Sequence, residues 1–147
     1  MRTMMWVCLG LTLSAPAFSN TDASRVIPNE RTLREACSAY SEADMRDCLA
    51  AKARESYNAL VQVENQLRAA LSRWDEDAKH IRLAQAKLAA SDKAFIQYRD
   101  AQCAFAASLG GGAIGNALEM RRFACVAELN HRRAKLLHDA LSGFPSK

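Results

Sequence analysis

Apolar residues recur every three or four positions over most of the chain, the spacing that places them on one face of an α-helix. Neither glycine nor proline occurs between Asn29 and Leu109, and this run is rich in strong helix formers. Three apolar stripes follow one another. The first comprises Met45, Leu49, Ala53, Leu60, Val63, Leu67, Leu71 and Trp74, with Tyr57 on nearly the same side. The second comprises Ile81, Ala84, Leu88, Ser91, Phe95, Tyr98, Gln102, Phe105 and Leu109. The third comprises Leu118, Cys125, Val126, Leu129, Leu136, Leu137, Ala140 and Leu141.

The starts of the first two helices are clearly marked, whereas the join between the second and third is not. Asn29 is a typical N-cap residue for a short first helix that runs to about Tyr40. The sequence Ser-Glu-Ala-Asp at residues 41–44 resembles a capping box at the start of a longer helix. One helix from residue 42 to residue 109 would be about 100 Å long. We therefore place a break at Trp74–Asp77, where an aspartate can cap the next helix.

A glycine-rich turn at residues 110–115 separates the third helix from the last one. Asn116 to Glu119 resembles another capping box, and Gly143 followed by Pro145 ends the final helix. The fold class that we predict is therefore all-α. Its architecture is an antiparallel three-helix bundle with a short N-terminal helix attached to it.

The first 19 residues have the features of a secretory signal peptide. Arg2 supplies a positive charge, residues 4–13 form a short apolar run, and Ala15-Pro16-Ala17 offers the small residues of a cleavage site. The apolar run is too short to span a membrane. We expect residues 1–19 to be removed and residues 20–147 to form a single domain. The mature protein is expected to be periplasmic or secreted.

The cysteines predict two disulfides. Removal of the leader takes Cys8 with it and leaves four cysteines, and an even number in an exported chain indicates disulfide pairing. Three pairings are possible on paper. Cys103 and Cys125 flank the turn at residues 110–115 almost symmetrically, so an antiparallel hairpin places them at the same height. This geometry favours the Cys103–Cys125 pair.

Cys37 is then left to pair with Cys48. In one unbroken helix their Cα atoms would lie about 16 Å apart, whereas a disulfide needs about 7 Å or less. The chain must therefore bend between them, and Ser41 is the expected point. A metal site is the alternative, but no Cys-x-x-Cys pair is present and the histidines do not flank the cysteines, so we expect no metal.

No constellation in the sequence provides the residues of an active site. Nucleophilic catalysis needs a nucleophile beside a base, whereas the cysteines are assigned to disulfides and the three histidines are scattered. No phosphate-binding loop or cofactor motif is present. We therefore expect a protein without enzymatic activity and without a cofactor.

Charge is distributed unevenly along the chain, whose formal net charge is +4. Residues 81–147 carry ten Lys or Arg and five Asp or Glu, so this half is basic. A basic cluster lies on the last helix: Arg121, Arg122, Arg132, Arg133 and Lys135. Few aromatic residues interleave with it, and the leader directs the protein away from cytoplasmic nucleic acid. We therefore expect no nucleic-acid partner. The basic cluster is expected either to form a solvated helix face or to contact anionic envelope polymers or lipids.

Two motifs beside the glycine-rich turn resemble those of a known family. They are Phe95-x-x-Tyr98-Arg99-Asp100-x-x-Cys103 before the turn and Cys125-Val126-x-x-Leu129-Asn130-x-x-Arg133 after it. Two earlier motifs extend the likeness: Cys37 followed by Asp44-Met45-x-x-Cys48-Leu49, and Leu88-x-x-Ser91-Asp92-x-x-Phe95. Over residues 37–137 the chain resembles the LprI-type lysozyme inhibitor family. It departs from the family pattern at Phe95, where tryptophan is common, at Asp92, where glutamine is common, and at Asn130, where threonine or serine is frequent.

The resemblance implies an exported, all-helical protein that binds a protein partner, such as a lysozyme or another peptidoglycan hydrolase, and inhibits it by occlusion. The alternative is a non-catalytic structural or adaptor protein of the cell envelope. Animal-type lysozymes are basic, so binding one would require a local acidic patch. The candidates are Glu42, Asp44 and Asp47, or the segment Asp75–Asp77. The oligomeric state is left open, and a domain-swapped dimer is one option.

Two groups of residues are candidates for binding. The first is the turn between the last two helices, because loops on rigid scaffolds carry recognition; its glycines are Gly110, Gly111, Gly112 and Gly115. The second group lies near the seam with the last helix. Here we expect Arg99 to pack its stem and pair its guanidinium with a carboxylate. Asp100 is expected to pair with Arg133 across the hairpin.

Overall fold

The computed structural model describes residues 27–39, 41–112 and 115–145. Within these ranges the chain forms four α-helices and no strand: α1 (Glu30–Ala36), α2 (Glu42–Ser72), α3 (Ala78–Ser108) and α4 (Ala117–Ser142). The predicted all-α fold is confirmed, with α2, α3 and α4 as the bundle and α1 packed against α2 and α4. The predicted signal peptide at residues 1–19 lies outside the described residues.

Side-chain caps begin the first two helices, as the sequence predicts. Oδ1 of Asn29 accepts a hydrogen bond from the backbone N–H of Thr32 at 3.0 Å. Oγ of Ser41 accepts from the backbone N–H of Asp44 at 3.3 Å and donates to Oδ2 of the same residue at 2.6 Å. Each cap satisfies a backbone donor that the first turn of a helix leaves without a partner.

The break between α2 and α3 lies where we predict it, but its chemistry differs. α2 ends at Ser72, and Asp77 is the N-cap residue of α3. The side chain of Asp77 makes no capping hydrogen bond, and neither does that of Asn116 at the start of α4. Instead, the ring of Trp74 packs against Phe144 with a centroid distance of 5.4 Å. Apolar packing therefore closes this end of the bundle.

Two apolar clusters form the core along the bundle. The first joins α1, α2 and α4 through Leu33, Cys37, Leu49, Ala53, Ala124 and Ala127. The second joins α2, α3 and α4 through Leu60, Leu67, Leu71, Leu88 and Leu137. Ala124 and Ala127 are fully buried, and their small side chains let α4 approach its neighbours closely. α4 contacts every other helix and is the central element of the fold.

Both predicted disulfides are present. Cys37–Cys48 joins α1 to α2 with a Cα–Cα distance of 5.9 Å, and Cys103–Cys125 joins α3 to α4 at 5.5 Å. α1 ends at Ala36, earlier than the predicted end, because the chain must bend for its first cysteine to reach the second. A disulfide typically stabilises a small domain by about 2–4 kcal/mol. The two bridges therefore tie α1 and α3, the helices with the fewest buried residues, to α2 and α4.

The apolar stripe predicted for α3 is correct at Ile81, Ala84, Leu88 and Phe95, whereas Ser91 is exposed, and the stripe is wrong beyond Phe95. Three of its later members are more than half exposed: Tyr98, Phe105 and Leu109. Arg99 and Cys103 face α4 in their place, because the disulfide to α4 fixes the rotation of α3 about its own axis. Tyr57 and Leu136 are also largely exposed, at 49% and 64%. Three polar residues are buried together with the apolar core: Ser56, Asp92 and Asn130.

Candidate functional site

A chain of polar side chains crosses the middle of the bundle and positions Arg99. Ser56 on α2 and Asn130 on α4 are fully buried. Nδ2 of Asn130 donates to Oγ of Ser56 at 3.1 Å, and Nη1 of Arg99 donates to Oδ1 of Asn130 at 3.2 Å. The hydroxyl of Ser56 donates in turn to the carbonyl oxygen of Ala53 at 2.8 Å. Because these buried groups satisfy one another, they hold Arg99 in one orientation.

The guanidinium of Arg99 also pairs with its neighbour in the sequence, Asp100. Nε and Nη2 of Arg99 donate to Oδ1 of Asp100 at 3.0 and 2.9 Å. The side chain of Arg99 is 13% exposed and that of Asp100 is 52% exposed. Cζ of Arg99 lies 6.0 Å from the ring centroid of Phe95, within reach of a cation–π interaction. Arg99 therefore has a packed stem and a paired charge.

Arg133 pairs with Asp92 and not with Asp100, so the predicted pairing across the hairpin is wrong. Nη2 of Arg133 donates to Oδ1 of Asp92 at 3.0 Å and to Oγ of Ser91 at 2.9 Å. Nη2 of Arg68 on α2 donates to the other oxygen of Asp92, Oδ2, at 2.7 Å. A single carboxylate thus joins the three long helices.

The register of the hairpin explains this choice of partner. Arg133 lies eight residues after Cys125, and α3 and α4 run antiparallel. It is therefore level with the residue eight before Cys103, which is Phe95. Asp92 lies about one helical turn from that level, whereas Asp100 lies on the other side of it and already binds Arg99.

Glu64 joins the same ionic cluster from α2. Its Oε2 lies 3.5 Å from Nη2 of Arg68. Burial raises the pKa of Glu64 above its ordinary value, and the negative charge of Asp92 raises it further. The positive charges of Arg68 and Arg133 act in the opposite direction. The cluster of two carboxylates and two arginines therefore links α2, α3 and α4 in the half of the bundle near the turn at residues 73–77.

The glycine turn lies at the end of the bundle where α3 ends and where α2 and α4 begin. Gly111 and Gly115 have φ angles of 58° and 73°, in the left-handed region that favours glycine. A Cβ atom at Gly110 would collide with the side chain of Leu118, whereas one at Gly112 would meet no atom within 4 Å. Ala113 and Ile114 lie outside the described residues. Gly111 and Gly112 therefore both have open space around them, and of these two only Gly111 has a positive φ.

Acidic side chains surround this turn. Oε1 of Glu42 accepts a hydrogen bond from the backbone N–H of Asn116 at 3.3 Å. Arg46 lies between two carboxylates, 2.7 Å from Asp47 and 3.9 Å from Glu119. We call four exposed residues at this end the acidic edge: Glu42, Asp44, Asp47 and Glu119. The other acidic segment proposed from the sequence, 75–77, lies at the opposite end of the bundle.

An exposed apolar stripe on α3 leads to the same end. Tyr98, Phe105 and Leu109 are 56%, 57% and 64% exposed. Their spacing of seven and four residues places them on one face of the helix, and the last of them directly precedes the glycine turn. Exposed aromatic and aliphatic side chains in a row are typical of binding surfaces.

The basic cluster on α4 is largely neutralised. Arg132 pairs with Glu128, Arg133 with Asp92, and Lys135 with Asp139. These pairings leave the first turns of α4, around Arg122, as the basic part of that helix. The expectation of a basic α4 face that binds polymers or lipids is correspondingly weakened, because most of its charge is balanced locally.

The seven candidate binding residues do not form one site. Arg99 and Asp100 lie in the C-terminal half of α3. Arg99 is eleven residues, or about 16 Å, before Gly110. Arg133 is engaged in the ionic cluster, and the glycines occupy the end of the bundle. The sequence reasoning missed Ser56 and assigned no role to Asp92 or Asn130. A signal was present, because Ser56 and Asp92 are each four residues from a leucine of the core and therefore face inward.

Comparison with known proteins adds one match. The family described as Lysozyme inhibitor LprI matches residues 34–137. The chain belongs to this family. The resemblance seen in the motifs is thereby confirmed, and the match includes all four disulfide cysteines, the glycine turn and the ionic cluster. No curated protein and no solved structure matches the chain significantly.

The LprI family is an inhibitor family, and the two disulfides are typical of exported proteins. Within residues 27–39, 41–112 and 115–145, no group of three or more His, Cys, Asp or Glu side chains is placed to hold a metal ion. In the same ranges no helix is both long and apolar enough to cross a membrane.

Proposed function

We propose that this protein is an exported inhibitor that binds a peptidoglycan-cleaving enzyme, such as a lysozyme, and blocks its substrate cleft. Membership of the LprI family supports this class of partner. The two disulfides and the buried polar contacts support a rigid domain, which loses little conformational freedom when it binds. No bond is made or broken in this mechanism, because the inhibitor only excludes the polysaccharide from the cleft.

We place the inhibitory surface at the glycine-turn end of the bundle. The turn is a short loop on a rigid scaffold, and such loops commonly carry recognition. The apolar stripe of α3 reaches this end, where Leu109 is exposed directly before the turn. An apolar centre beside a polar rim is the usual composition of a protein interface. Leu109 and Phe105 would supply the centre, and the acidic edge would supply the rim.

The acidic edge is the observation that carries the choice of this surface. The whole chain has a net charge of +4, so a basic lysozyme is repelled at long range. At the acidic edge, however, four exposed carboxylates lie at one end of the bundle, and two of them, Asp47 and Glu119, pair with Arg46. These carboxylates would attract a basic partner at short range, against the positive charge of Arg121, whose side chain lies beside Gly110 at the same end.

A turbidity assay of cell-wall lysis tests the proposal. We expect the oxidised protein from residue 20 onward to abolish the activity of its target at about one-to-one stoichiometry. The informative variant is Gly112→Trp, because this position has free space and no positive φ, so the fold should be retained while the added ring blocks docking. The matched control is Ala86→Trp, an exposed position in the first half of α3.

The proposal requires that Gly112→Trp loses inhibition and that Ala86→Trp keeps it. The double variant Asp47→Asn/Glu119→Gln should weaken inhibition of a basic lysozyme, and the loss should shrink as salt is added. Equal inhibition by both tryptophan variants would move the surface away from the turn. Absence of inhibition, together with stoichiometric capture of an envelope protein, would support the adaptor function instead.

A further inference from the structure

A groove of about 600 Å³ opens between α2 and α3, with α4 as its floor. α2 and α3 are linked near the turn at residues 73–77, where Arg68 binds Asp92 and Gln85 donates to Oγ of Ser72 at 3.1 Å. Toward the glycine turn each of them is held by α4 instead, α3 through its disulfide. The gap between them has the volume of a small-molecule site, for which about 300–1,000 Å³ is usual.

Three arginines from three different helices line this groove: Arg54 on α2, Arg99 on α3 and Arg122 on α4. Asp100 also lines it, but its carboxylate already binds Arg99. Arg54 and Arg122 form no ion pair or hydrogen bond with any residue in the described part of the chain. Two positive charges without a partner in the described residues thus line one cavity, and a cavity lined by one sign of charge attracts an anion.

The floor of the groove is held in one conformation by hydrogen bonds. Asn130 is fully buried, and it holds Arg99 through the 3.2 Å hydrogen bond described above. Arg99 is fixed on its other side by Asp100 and by the ring of Phe95. A ligand that enters the groove therefore meets a fixed wall in which the charge of Arg99 is already balanced by Asp100, so its charged group is left to Arg54 and Arg122.

The remaining walls are apolar or aromatic. Ala53 and Val126 line the groove between the charged groups, and Tyr57 contributes a ring that is 49% exposed. The amide side chain of Asn58, one residue further along α2, offers donors and an acceptor. A bare inorganic ion would leave these surfaces unused, whereas a ring with hydroxyl groups would cover them.

We propose that this groove binds an acidic sugar, which is a pyranose-sized ring that carries a carboxylate. The planar fork of an arginine matches a carboxylate in bidentate geometry, so Arg54 and Arg122 would hold the charged group. The ring would lie on Tyr57, and Asn58 would contact its hydroxyl groups. The site is separate from the glycine-turn surface and does not depend on inhibition of a lytic enzyme.

An NMR titration of the oxidised protein tests this assignment. The probe is N-acetylmuramic acid, a pyranose with a carboxylate. N-acetylglucosamine serves as the neutral ring, and acetate and inorganic phosphate serve as anions without a ring. We expect N-acetylmuramic acid to shift the backbone amides of Tyr57, Asn58 and Val126. It should bind at least about tenfold more tightly than N-acetylglucosamine, which lacks the charged hydrogen bond, and than acetate or phosphate, which lack the ring.

Two variants localise the charge recognition. Arg54→Gln and Arg122→Gln should each weaken N-acetylmuramic acid about tenfold, because each removes a charged hydrogen bond from an exposed, unpaired side chain. The matched control is Arg82→Gln, an exposed arginine on α3 that lies seventeen residues, or about 25 Å, from Arg99. It should bind N-acetylmuramic acid as the wild type does. Tyr57→Leu should weaken both sugars while the acetate affinity stays unchanged.

Several results would overturn the proposal. These are the absence of shifts in the groove, equal binding of N-acetylmuramic acid and N-acetylglucosamine, and equal binding of acetate or phosphate. Unchanged affinity in both arginine variants would have the same meaning. The lysis assay plays no part in the test, so its outcome and that of the titration are independent.

Discussion

Arg133 on α4 and Asp92 on α3 form an ion pair of 3.0 Å inside the bundle, where their side chains are 15% and 10% exposed. Arg68 on α2 binds the second carboxylate oxygen at 2.7 Å. Cζ of Arg133 lies 5.7 Å from the ring centroid of Phe95, which gives its partly desolvated charge a second favourable contact. The pair therefore decides how α3 and α4 are aligned in the half of the bundle that no disulfide spans.

Removal of the Asp92 carboxylate is expected to destabilise the fold strongly. Asp92→Asn keeps the shape of the side chain but leaves Arg133 without a carboxylate partner in a largely buried place, whereas Arg68 keeps Glu64, and this change costs about 3 kcal/mol. Urea denaturation of the oxidised protein measures it. Asp139→Asn is the control, because its pair with Lys135 is exposed on both sides and should contribute less than about 1 kcal/mol. Similar losses in the two variants would show that the Asp92 pair is no more than a surface contact.

The raised pKa of Glu64 predicts a pH dependence of stability. A carboxyl group whose pKa is higher in the folded than in the unfolded protein favours folding while it is protonated. Its contribution is therefore complete below the ordinary value of 4.5 and is lost as the pH rises through the raised pKa of the folded state. The free energy of unfolding of wild type relative to Glu64→Gln should fall as the pH rises from below 4.5 to neutrality. A difference that rises over this range would mean that Arg68 and Arg133 outweigh burial.

The two disulfides should differ in their effect on stability. Cys103–Cys125 closes 22 residues of chain and Cys37–Cys48 closes 11. Doubling the closed length adds about 0.6 kcal/mol of lost unfolded-state entropy. Replacement of Cys103 and Cys125 by alanine should therefore cost slightly more than the same replacement of Cys37 and Cys48, with both losses near 2–4 kcal/mol. Thermal unfolding of the two double variants gives the comparison, and the opposite order would show that native-state contacts outweigh loop length.

Two glycines of the turn should respond oppositely to alanine. At Gly110 a Cβ atom would collide with Leu118, so Gly110→Ala is expected to cost about 1–3 kcal/mol. At Gly112 a Cβ atom meets nothing, and Gly112→Ala should be neutral or stabilise by up to about 1 kcal/mol, because alanine restricts the unfolded chain. Chemical denaturation of both variants tests the contrast. Equal effects would mean that the turn adjusts around Gly110.

The residues alone were sufficient to predict the helices, the caps at Asn29 and Ser41, the break after Trp74 and both disulfides. These features are local or follow from symmetry about a turn. Helical spacing depends on neighbours three and four residues away, a capping residue acts on the next turn, and cysteines equidistant from a turn meet in any antiparallel hairpin. The family resemblance was likewise contained in short motifs, and the family match confirmed it.

Tertiary structure decided which face of α3 is buried and which charges meet. The periodicity of α3 permits either Tyr98 or Arg99 to face α4, since adjacent positions on a helix are only about 100° apart. The disulfide and the Asp92–Arg133 pair select the rotation that buries Arg99 and exposes Tyr98. The groove and the acidic edge also depend on tertiary structure, because both bring together residues from helices that are distant in the sequence. The pattern along one helix does not predict the distance between residues on different helices.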